Sequence, residues 1–276
     1  MIDAYFSPKG ILLQQEGELI HSSLKNGLLV IQGTNIDSKG DYYLAFLMLS
    51  TGLERLMKVT IIVDHMASNE LNAPNSSLIR NYGHDLNDLL KKCSLLATQY
   101  QVSEFTDLSS CEIDRDIVGF LSDFARRTRY HNLDSIAGGK VLNDPLSEWY
   151  RIIERIAESD IPKGERLRAE LKGRALGNLF AQNSILIFHD LNQKLAPPDD
   201  LSASVNLIAL AVPYCIARLF AIIVSLDELL RVIIAVAQSV DKSLGNTVSS
   251  IPFMSEFLEF ARYPDPDIWQ LPVRRH

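Results

Sequence analysis

Apolar residues recur at three- and four-residue steps along most of this chain, and the two-residue alternation of a strand is sustained nowhere. The cleanest stripe is Leu86, Leu89, Leu90, Cys93, Leu96, Ala97 and Tyr100, which predicts a helix starting near His84-Asp85. Before it, residues 41 to about 67 are apolar around most of a helical circumference, with Glu54, Arg55 and Lys58 as the first charges inside the run. Ser109 and Glu112 have the spacing of a capping box, predicting a helix through Ile117, Phe120, Leu121 and Phe124 to a stop at Gly138-Gly139. Asp144-Pro145 reads as an N-cap with proline at the first helical position, followed by a buried face of Trp149, Ile152, Ile153 and Ile156. Ser159-Asp160-Ile161-Pro162 repeats the signal and opens a helical pattern reaching about Leu195.

After a candidate linker at residues 196–200, an apolar helix from about Ala203 to Val240 and a short helix from Pro252 to Arg262 complete the pattern. Residues 1–40 are cut by glycines at 10, 17, 27, 33 and 40 and predict one short helix with an extended piece. The expected fold is all-α, a helical bundle of seven or eight helices. Its parts are an N-terminal segment (1–40), a bundle (41–160) and a C-terminal helical section (161–276) packed on the first.

Composition narrows the function classes. A chain of 276 residues with 47% hydrophobic residues can fill a substantial core. Its net charge of −7 argues against a surface coated by nucleic acid, so any such contact is expected to be local. Cys93, Cys111 and Cys215 are scattered and odd in number, which argues against a disulfide framework and for a reducing cytoplasm. No secretory signal is recognisable at the first residues. The run from Val205 to Leu226 is long enough for a bilayer, but Arg218 lies inside it, Pro213 interrupts it, and Asp227, Glu228 and Arg231 follow. A core or interface helix, with no membrane, is the expectation.

Candidate chemistry concentrates at residues 126–132, where Arg126, Arg127, Arg129, Tyr130, His131 and Asn132 crowd into seven positions. A guanidinium grips phosphate oxygens with a planar fork of donors, and an imidazole moves protons near neutral pH. Arg126, His131 and Asn132 are the candidate catalytic residues, and Arg127, Arg129 and Tyr130 the candidate substrate-binding ones. On a continuous helix Arg126 and His131 would stand about 140° apart, whereas Arg127 and His131, four apart, would share a face. His21, His65 and His189 have no ligand-like partner spacing, so neither a metal site nor a cofactor is expected.

Ser50 to Lys58, a proline-containing break, and Tyr82-Gly83-His84-Asp85-Leu86 resemble the first helix pair of HEPN domains. Arg126 to His131 is similar to the Arg-x4-6-His signature of that superfamily, and the matching parts cover roughly residues 41–160. The resemblance implies a four- or five-helix bundle, frequent dimerisation, and in many members metal-independent RNA cleavage at a site shared between two chains. Other members are non-catalytic.

Plainer readings stand beside these. The arginines suit a solvated helix end favoured by the macrodipole, His84-Asp85 a helix start, and Glu54 with Lys58 an intrahelical ion pair. Two function classes follow: a ribonuclease or RNA-binding protein using Arg126 and His131, or a non-catalytic interaction or scaffold protein. A homodimer is expected, through the Val205–Leu226 helix or the His131 face. Sedimentation at micromolar concentration should then give twice the 31.0 kDa chain mass; a monomer would exclude it.

Overall fold

A computed structural model describes residues 6–103, 105, 110–139, 143–181, 188–189 and 195–263. Among these are ten α-helices, and the fold is an all-α bundle. The chain opens not with a short helix but with α1 (Pro8–Gly33), capped by Ser7, whose Oγ accepts the Gly10 N–H, with Pro8 at the first position. Of the glycines read as breaks, Gly10, Gly17 and Gly27 are close-packing positions on this helix, whereas Gly33 and Gly40 have open space around them. A Cβ on Gly27 would lie 2.9 Å from Leu49, and one on Gly52 of α2 (Lys39–Ser68) 2.6 Å from Leu24. Each helix therefore offers a notch to a leucine of the other, and the two run together along their length.

Helix α2 is central, touched by α1, by α4 (Leu86–Gln99), by α5 (Glu112–Arg126) and by the long α9 (Pro198–Ser243). The short α3 (Ser76–Asn81) sits between α2 and α4. Phe46 of α2 meets Phe120 and Phe124 of α5 edge-on and Trp149 of α7 (Pro145–Asp160), so four aromatic rings fill the middle of the bundle. Asp144 caps α7 as its sequence predicts, accepting the Ser147 N–H at 3.1 Å. Ser109 lies outside the described residues, and α5 begins at Glu112 with Cys111 at the N-cap.

Several boundaries differ from the sequence pattern. Ser159 lies within α7 rather than opening a helix, and α8 spans Lys163–Ala181. Beyond it Phe188–His189 pairs antiparallel with Leu195–Ala196, the only named strands among the described residues. The candidate linker is instead the first turn of α9, with Pro198 at its start and Asp199 and Asp200 favoured there by the helix dipole. Pro213 removes one donor without ending this 46-residue helix. By length and composition α9 could cross a membrane, and half of its most apolar stretch is buried inside the protein.

Arg218, the charge inside that apolar run, explains part of the packing. Its guanidinium bonds Asp160 at the end of α7 through two nitrogens, at 2.6 and 2.7 Å, and Asp114 in the first turn of α5 at 2.8 Å. Farther along, Asp227 is fully buried and accepts Arg231 and Arg262, the latter from α10 (Glu259–Arg262).

Helices α8 and α9 meet backbone to backbone at Gly173 and Gly177. A Cβ on Gly177 would fall 2.3 Å from the Asp199 Cα and the Pro198 carbonyl oxygen, neither of which can rotate away. Gly177→Ala should therefore lower the melting temperature although alanine is the better helix former. Gly119→Ala, where the nearest atom is 3.6 Å away, should stabilise by up to about 1 kcal/mol from helix propensity. Thermal unfolding of the two variants checks the opposite signs.

Candidate functional site

Helix α5 buries Ile117, Leu121 and Phe124 and presents Ser122 and Arg126, four residues apart, toward the start of α4. There Asp85 is the N-cap, its Oδ1 accepting the Asn87 N–H at 2.9 Å and the Ser122 hydroxyl at 3.0 Å. The Ser122 oxygen in turn accepts the Leu86 N–H, and Arg126 donates to Asp85 Oδ2. One carboxylate thus satisfies a helix end and holds a guanidinium.

Gly83 turns the chain into α4 with φ of +71°, a left-handed conformation that glycine adopts without a Cβ penalty. The turn sets His84 against Glu54 of α2, with Nδ1 to Oε1 at 2.8 Å. Lys58 Nζ lies 2.8 Å from the same Glu54 oxygen, forming the expected i,i+4 pair. These groups border a cavity of about 680 Å³ between α2, α4 and α5, whose walls include Thr51, Glu54, His84, Asp85, Arg126 and Arg129. Glu54 and Asp85 are half-buried, while His84 is 76% exposed and accessible to a solute. In the tautomer that donates Nδ1–H to Glu54, the His84 Nε2 carries the lone pair.

The helix expected to run from Ser109 to Gly138 breaks at Arg127, where φ and ψ are −135° and −47°. A 3₁₀ turn (Thr128–Tyr130) and the short α6 (His131–Ile136) follow. Thr128 and His131 are both buried and three apart, the repeat of a 3₁₀ turn rather than of a continuous helix. Arg126 and His131 are consequently not joined in one cavity: His131 is 9% exposed, and its buried Nδ1 has no hydrogen-bond partner among the described residues. Arg127 turns back to Asp123, so the face it would share with His131 on an unbroken helix is lost. Arg129 lies 4.9 Å from the centre of the exposed Tyr130 ring. Asn132 is exposed beside Tyr43, whose hydroxyl is pushed up to about 12 by burial and by Asp144, with Asn132 opposing the shift.

Of the six residues singled out by sequence, Arg126 and Arg129 line the cavity, and the other four do not. The histidine that does line it is His84, and its carboxylate partner is Glu54. A pairing thirty residues apart leaves no local periodic signal. Among the described residues no cluster of His, Cys, Asp or Glu could hold a metal ion. No family model, no curated protein and no solved structure matches this chain.

Asp85→Ala should remove the α4 cap and free Arg126 together, lowering stability by about 1 to 2 kcal/mol. Asp85→Asn, which keeps an N-cap acceptor and loses the charge, should lose less. Urea denaturation of both variants measures the difference.

Proposed function

We propose that this protein is a metal-independent ribonuclease that works from the α2–α4–α5 cavity, with His84 rather than His131 moving the proton. The observation that carries this reading is the Glu54–His84 pair opening on the cavity that Arg126 and Arg129 border. An imidazole held by a carboxylate is a suitable general base: Nε2 takes the proton of an RNA 2′-hydroxyl, and the 2′-oxygen attacks the adjacent phosphorus. The 5′-oxygen leaves taking a proton from solvent water, giving a 2′,3′-cyclic phosphate and a 5′-hydroxyl end, and His84 returns its proton to solvent. Arg126 and Arg129 stabilise the charge that grows on the phosphoryl oxygens. Their small number agrees with the −7 net charge, since a single phosphodiester needs only local cations. In this reading the protein acts as a cytoplasmic homodimer, and α9 is a core helix whose charges are met by ion pairs inside the protein.

One observation favours the second reading, a non-catalytic helical interaction protein. Arg126 is already neutralised by Asp85, and Glu54 by Lys58, as a clamp between helices requires.

Incubating purified protein with mixed RNA, with and without EDTA, separates the two. His84→Ala should slow cleavage by about 10²- to 10⁴-fold, the usual contribution of general acid–base catalysis. EDTA should change nothing, and Arg126→Ala should weaken both binding and turnover. Loss of cleavage in a folded His131→Ala variant but not in His84→Ala would return the chemistry to the Arg126–His131 spacing. No cleavage by the wild type would leave the interaction protein.

A further inference from the structure

On the other side of Glu54, between α1 and α2, lies a second cavity of about 540 Å³, within the range of small-molecule sites. Its floor is apolar: Leu13, Val59 and Met66 are buried core side chains, and Ile62 and Ile79 are half-buried. Leu12 forms a lip and is 62% exposed, so an apolar surface is offered to solvent at the mouth.

The charges around it are unequal. Lys9, Arg55 and Lys58 face two carboxylates, Glu16 and Glu54. Arg55 is bonded to Glu16 at 2.6 Å and Lys58 to Glu54 at 2.8 Å, which neutralises both acids. Lys9 donates only to the Leu71 carbonyl, at 3.3 Å, and has no carboxylate partner among the described residues. The surplus charge is therefore one ammonium, at the α1 end of an apolar trough.

We propose that this cavity binds a small amphipathic monoanion, a straight-chain carboxylate whose hydrocarbon tail lies on Val59, Ile62 and Met66 and whose head group meets Lys9. Burial of the tail supplies most of the binding energy. The ammonium selects the sign of the head group, a preference that salt weakens because Lys9 is exposed. The site does not depend on RNA chemistry at His84, and its test uses no RNA.

The test is calorimetric titration of the full chain with dodecanoate below its micelle concentration, beside dodecyltrimethylammonium, which has the same tail and the opposite charge. Saturable uptake of one dodecanoate per chain, with much weaker uptake of the cation, is the expected result. Lys9→Glu and Leu12→Glu alter exposed positions and should fold; each should weaken dodecanoate by about tenfold or more, since a carboxylate replaces attraction or apolar contact with repulsion. Leu95→Glu, at a 72% exposed position on α4 outside the cavity, should bind as the wild type does. No saturable binding, equal binding of the two amphiphiles, or unchanged affinity in both Lys9→Glu and Leu12→Glu would overturn the assignment.

Discussion

Two helices of this protein, α2 and α9, are apolar around most of their circumference, and an apolar cylinder in water must be covered on every side. The rest of the bundle follows from that requirement. α1 lies along α2 closely enough to need glycine at the contacts, α5 and α7 bring Phe120, Phe124 and Trp149 to Phe46, and α9 closes the remaining side. Charged side chains on the middle of α2 can point only where this cover opens. Glu54, Arg55 and Lys58 are those charges, and the two cavities bordering them are the openings.

The same logic governs α9. A charge within an apolar helix is tolerable only if partners inside the protein replace its hydration, and Arg218 finds them in Asp114 and Asp160, from two other helices. The guanidinium matches them geometrically: its Nε and one terminal nitrogen fork onto Asp160 while the other reaches Asp114. Such a contact contributes less through net energy than through position, because sliding α9 by one turn would strand one buried and two half-buried charges. Asp227 does the same for the C-terminal end, where burial pushes its carboxyl up and Arg262 and Arg231 oppose the shift. These pairings make the membrane-like composition of α9 compatible with a core position.

How much of this was legible in the sequence depends on the range of the interaction. The helices at α2, α4, α5 and α7 show in their stripes, and Asp85 and Asp144 show as caps, because stripes and caps are local. α1 was obscured because a glycine that ends a helix and a glycine that admits a neighbour are the same letter; only the Leu49 and Leu24 contacts tell them apart. Asp199-Asp200 after two prolines reads equally well as a linker or as a helix start, and packing on Gly177 selects the second. The break at Arg127 was invisible for a related reason. Nothing in Arg126-Arg127-Thr128 forbids a helix, and burial of Thr128 with His131 is a tertiary choice.

That break decides which residues can share chemistry. Spacing arguments assume a continuous helix, and once the helix ends at Arg126 the next histidine turns inward while the preceding turn of another helix brings His84 to the same wall. Glu54 then acquires a double role. Its Oε1 accepts both Lys58 and His84, so the strength of the His84 contact depends on how much of that oxygen's charge Lys58 neutralises. Because Lys58 faces the apolar cavity and His84 the polar one, the two cavities are electrostatically joined through a single carboxylate oxygen.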